Sequence, residues 1–168
     1  SLHDALPICA IIMGTGMPPA EAILGGKALS AQQKLLHGDK YVSKMLYKMA
    51  FAAYNSRIPD THSDYDWVSK RQENVDAYIE DPLCGFVFTV NGFQTLFDLI
   101  ARMSDTENLR KIPKELPLFL MSGNEDPVGE YGDGVKRVFD SLEDLGLEHV
   151  MLKLYAGDRH EILNEADG

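Results

Sequence analysis

The chain has 168 residues and a formal net charge of −10, a size that suits one domain. Acidity at this level excludes a nucleic-acid surface, which needs a net basic face to meet phosphates. Two cysteines, Cys9 and Cys84, stand in no CxxC and beside no histidine at ligand spacing. A zinc site or disulfide framework is therefore not expected, nor any other cofactor.

No apolar run is long enough to span a bilayer, and no basic-then-apolar leader opens the chain. The expectation is a soluble, cytoplasmic protein, with export left open because the chain does not begin with methionine. Its first octapeptide, SLHDALPI, reads as a translated sequencing adapter. Residues 1–9 are set aside on that ground, and His3 and Asp4 with them.

Residues 10–13, AIIM, are wholly apolar and end at Gly14-Thr15-Gly16, the signature of a buried parallel strand. Residues 20–36 read as a helix interrupted at Gly25-Gly26. Asp39 can cap a further helix in which Val42, Met45, Leu46, Met49 and Ala53 recur at three- and four-residue steps. Residues 54–82 read as polar and turn-rich, with Trp67 among them. Asn91 looks like an N-cap for a stripe of Phe93, Leu96, Phe97 and Ile100. From Pro113 the pattern changes. LPLFLM at 116–121 is a second apolar strand, Val135 to Leu145 follow at helical spacing, and Gly146 suits the helix end. Residues 150–155 alternate as a strand does. Strand, helix and strand make a βαβ unit, so the fold class is α/β.

Sites in parallel sheets form at the C-terminal ends of the strands. Two polar loops occupy such ends: Ser122 to Pro127, and Gly157 to His160. Adjacent strands lie about 5 Å apart, so Asp126 and His160 can meet as a carboxylate–imidazole pair. Such a pair holds the ring in one tautomer and stabilises the imidazolium. Alternatively Asp126 is a turn aspartate before proline and His160 a residue of a helix start, and Asp158 and Glu125 compete for the imidazole.

PLFLMSGNEDPVG followed by LYAGDRHEILNE resembles the C-terminal end of α/β-hydrolases, in particular the bacterial lysophospholipase and monoacylglycerol lipase-like group, also described as serine aminopeptidase-like. FAAYN, DYDWVSK and DPLCGFVFT are similar to the cap of the same group. The resemblance implies a partial α/β-hydrolase fold of about three parallel strands. Residues 10–16 and 113–168 would be the C-terminal part of its core, and 17–112 a helical cap. It makes Asp126 the triad acid and His160 the triad base. The nucleophilic serine is absent, because no serine stands in a G-x-S-x-G elbow. Ser122 lies on the acid's own loop and does not substitute for it.

The function implied is a C-terminal fragment of a serine ester hydrolase, inactive alone, acting in the parent by acyl-enzyme chemistry on a small lipid-like or ester substrate. Alternatives are a non-catalytic interaction domain of the same fold, or a half-enzyme completed by a partner chain. Met45, Met49, Phe86 and Phe88 are candidates to line an acyl pocket, although plain packing onto neighbouring elements is the stronger explanation for any single one of them. Nothing in the sequence reads as a site for a free amine.

Overall fold

The computed structural model describes residues 8–165, so all but residues 8 and 9 of the adapter-like segment 1–9 lies outside the described residues. Strand β1, Ala10–Met13, is followed by five helices: α1 Ala20–His37, α2 Lys44–Phe51, α3 Gln72–Glu80, α4 Val90–Met103 and α5 Thr106–Leu109. Then come β2 Leu118–Gly123, α6 Asp133–Asp144 and β3 Val150–Tyr155. The three strands form one parallel sheet in the order β1-β2-β3, with Ala10 opposite Leu118 and Leu118 opposite Val150. This is a partial α/β-hydrolase fold.

Two apolar cores form. Leu118 and Leu120 of β2 pack with Val135 and Leu142 of α6 on one face of the sheet. The second core lies within the helical segment, where Leu46, Val90, Phe93 and Phe97 are buried together. Helix α1 runs unbroken through Gly25-Gly26, contrary to expectation. A Cβ on Gly26 would lie 2.7 Å from the Phe97 ring, so the absent side chain is what lets α4 close on α1. That contact outweighs the roughly 1 kcal/mol a helical glycine costs.

Other local readings are corrected. Helix α2 is capped by Ser43, whose Oγ accepts from the Leu46 N–H at 3.2 Å, while Asp39 pairs with Lys34 at 2.8 Å. Helix α4 is capped by Thr89 and not by Asn91, which lies inside the helix. Residues 72–80 form a helix where only turns were expected. Val75 is its one buried residue, too little for a visible stripe. Strand β2 begins two residues late because Pro117 has no N–H to give a ladder, and it runs on through Ser122 and Gly123, which pair with Leu154 and Tyr155.

Candidate active site

The loops after β2 and β3 are knitted together by their backbones. Asn124 donates its N–H to the Tyr155 carbonyl at 2.9 Å, and Glu125 donates to the Asp158 carbonyl at 3.0 Å. The approach is so close that a Cβ on Gly123 would fall 1.9 Å from the Asp158 carbonyl oxygen. Any side chain there forces the two loops apart.

Asp126 is fully buried at this junction. One carboxylate oxygen, Oδ1, accepts the Val128 N–H at 2.8 Å. The other, Oδ2, accepts the Ser122 hydroxyl at 3.3 Å and lies 3.0 Å from Nδ1 of His160. The three donors satisfy a charge that burial alone would make costly. They also set the ring: Nδ1 carries the proton shared with Oδ2, which directs Nε2 away from the acid. Ser122 is spent on this task.

His160 is about one-third exposed, its side chain at 32 %. Its ring lies 5.3 Å from that of Trp67, tilted by 50°. On another side Gly14, at the end of β1, comes so near that a Cβ would sit 2.9 Å from Cε1 of the imidazole. The competing carboxylates are otherwise engaged. Glu125 is exposed, and Asp158 is buried against Lys70 at 2.5 Å.

The residues around His160 that sequence reasoning passed over come from the helical segment. Glu165 accepts from the Lys70 and Arg159 backbone N–H groups at 3.0 and 3.1 Å, and from the Ser69 hydroxyl at 3.1 Å. Arg159 donates through Nη1 to the carbonyls of Asp66 and Ser69 at 2.7 and 3.0 Å. Glu161 donates its N–H to the Val68 carbonyl at 2.8 Å. The phrases DYDWVSK and RHEILNE were each noted for resemblance, and here they bond to one another. No spacing rule could have paired them across some ninety residues.

Two concavities share Trp67 and Tyr78. One, of about 430 Å³, includes His160, Glu161 and Gly14 in its lining. The other, of about 340 Å³, is walled by Tyr47, Tyr65, Trp67, Tyr78, Phe86 and Phe88. Phe86 and Phe88 line the second of these. Met45 and Met49 are in the lining of neither and are each 46 % exposed, while α2 turns Leu46, Tyr47, Ala50 and Phe51 inward. The heptad-like stripe was read one residue out of phase with the face that packs.

A buried carboxylate and a histidine at the ends of adjacent parallel strands, with a helical segment inserted between β1 and β2, are the arrangement of an α/β-hydrolase. The family model for serine aminopeptidase, S33, matches residues 10–167, and the chain belongs to that family. Among solved structures it is similar to a thermostable carboxyl esterase from Bacillus coagulans, at 26 % identity and TM-score 0.86, covering 98 % of this chain and 53 % of that one. It is also similar to a structure described as a lipase in open form, at 26 % identity and TM-score 0.81, covering 94 % of this chain and 51 % of that one. A monoacylglycerol lipase from Paleococcus ferrophilus shares the fold at 18 % identity and TM-score 0.59, covering 95 % of this chain and 53 % of that one. The chain therefore spans about half the length of these structures. Comparison with curated proteins found no match. Among the described residues no helix is long and apolar enough to cross a membrane.

Proposed function

We propose that the chain supplies the acid and base of a serine ester hydrolase, with Asp126 as triad acid, His160 as triad base and 17–112 as the cap over them. The observation that carries this is the 3.0 Å contact between Oδ2 of the buried Asp126 and Nδ1 of His160.

With Nδ1 committed to the acid, Nε2 is the atom that takes the proton of a serine hydroxyl as its oxygen attacks the ester carbonyl. The same proton passes to the departing alkoxide, leaving an acyl-enzyme and an alcohol. Water then loses a proton to Nε2, attacks the acyl carbonyl and releases the carboxylic acid, and the serine is re-protonated. Asp126 stays ionised throughout. Ser122, Val128 N–H and the imidazolium are the groups that stabilise it there. The nucleophile and the oxyanion-hole donors come from outside this chain in this reading, since its serines have no G-x-S-x-G frame. The substrate class is a small or lipid-like ester.

The chain by itself is expected to leave p-nitrophenyl acetate at the buffer rate. Joined to the in-frame sequence encoded upstream, it is expected to hydrolyse the ester, and His160→Ala should then cost about a thousandfold or more in kcat. Retention of that activity by the variant would remove the role assigned to His160.

A further inference from the structure

Helix α1 is built inside out. It buries Gly26, Ser30 and Gln33. Leu24 and Leu35 point the other way, 67 % and 88 % exposed, with Ala28 and Ala31 exposed between them. At 3.6 residues per turn these four positions fall within about 60° of one another, on the side of the helix opposite the buried three. A helix that turns leucine and alanine outward along a single line has a second face to cover.

The stripe is a palindrome. Leu24, Ala28, Ala31 and Leu35 follow at steps of four, three and four residues, so the pattern is the same from either end. A second copy laid antiparallel, about a twofold axis between Ala28 and Ala31, sets each Leu24 against a Leu35 and each Ala28 against an Ala31. The alanines let the helices approach closely at the centre. The leucines close the two ends, about 16 Å apart along the axis.

Both flanks agree with that register. On one, the twofold brings the exposed Leu36 beside Gly25 of the second copy. Glycine weakens a helix, and among the described residues nothing packs within 4 Å of where a Cβ on Gly25 would stand. Unlike Gly26, it has no use within its own chain, and the facing leucine takes the room it leaves. On the other flank lie Lys27, held by Asp98 at 2.6 Å, and Lys34, held by Asp39 at 2.8 Å. The lysines that meet across the axis are thus each neutralised by an aspartate of their own chain. A parallel pairing would set Glu21 against Glu21 at the next position of the stripe and leave Gly25 unmatched. The antiparallel one sets Glu21 against Gly38 and opposes the two helix dipoles favourably.

We propose that α1 is a self-association face, which pairs antiparallel with α1 of a second copy of this chain in a symmetric dimer. No residue of the candidate active site takes part, so the pairing stands or falls separately from the hydrolase reading.

Sedimentation velocity tests this on the full chain carrying Ile11→Lys, a substitution that charges the exposed sheet face and so suppresses association through it. The mass is expected to rise from 18.7 kDa toward twice that value as loading approaches about 500 µM. Leu24→Lys should weaken the dimer at least about tenfold. Adding Leu35→Glu to that variant should restore it, because antiparallel pairing makes each facing pair Lys–Glu, whereas parallel pairing makes Lys–Lys and Glu–Glu. Both leucines are exposed, so circular dichroism should show unchanged helix content in either variant. A monomer at every concentration overturns the proposal, as does association that Leu24→Lys leaves unchanged. Loss without restoration by the second substitution overturns the antiparallel register.

Discussion

The imidazole of residue 160 is held on three sides by groups of different chemistry: the carboxylate of Asp126, the indole of Trp67 and the bare backbone of Gly14. Each controls one freedom of the ring, namely its tautomer, its tilt and its depth. Tyr54 gives an independent readout of the acid. Its ring meets Trp67 edge-on at 5.0 Å, and burial, then the negative charges of Asp126 and Glu130, pushes its phenol up to about 12 from 10.0. A raised phenol binds its proton more tightly in the folded than in the unfolded chain. The stabilisation is therefore complete below the unfolded value near 10 and is lost as pH rises toward 12. Urea melts across that window should show a loss of at most about 2 kcal/mol from this residue, allowing for solvent screening. Asp126→Asn removes one of the two charges, so the tyrosinate absorbance of Tyr54 should rise at lower pH than in the parent chain. An unmoved titration would mean that the acid is not charged beside it.

At the scale of elements, the loop after β3 depends on the segment before α3. Asp158 is buried with its carboxylate against Lys70, and Glu165 gathers three donors, two of them from Ser69 and Lys70. Lys70→Met removes the cation and leaves the Asp158 charge buried. Breaking a fully buried pair costs about 3–5 kcal/mol, and the loss here should be smaller because the Lys70 side chain is itself partly exposed. Amide exchange in residues 158–165 should accelerate accordingly, while β2 and α6 amides keep their protection. Uniform acceleration would show that the clamp serves the whole fold and not the histidine loop. Much of the element pattern was legible: β1 and β3 lie where the apolar runs put them, and α4 and α6 follow their stripes, whereas α1 leaves Leu24, Leu35 and Leu36 exposed and buries Gly26, Ser30 and Gln33. What failed was fine phase and capping. Ser43 and Thr89 win the caps because their hydroxyls reach the third N–H on. Asp39 and Asn91 are drawn instead to Lys34 and to the Asp39 carbonyl.

Seen whole, the sheet is covered unevenly. Helix α6 buries Leu118 and Leu120 on one face. The register places Ile11, Phe119 and Met151 together on the other, where Ile11 is 59 % and Met151 63 % exposed. Among the described residues β1 pairs on one side only. An apolar face beside an open strand edge is a template for association between chains. Ile11→Lys places a charge on that face, so sedimentation velocity should show a smaller self-associated fraction than for the parent chain. An unchanged distribution would locate association elsewhere.

The strand segments and the two polar loops that follow them were legible in local sequence, because apolar runs, turn glycines and an Asp-Pro step are short-range signals that each state their own structure. Which carboxylate faces the imidazole was decided only by tertiary contact: Lys70, distant in the chain, takes Asp158 and leaves Asp126 to His160. The cavity walled by Tyr47, Tyr65, Trp67, Tyr78, Phe86 and Phe88 arose the same way, its residues coming from separate turns and helices.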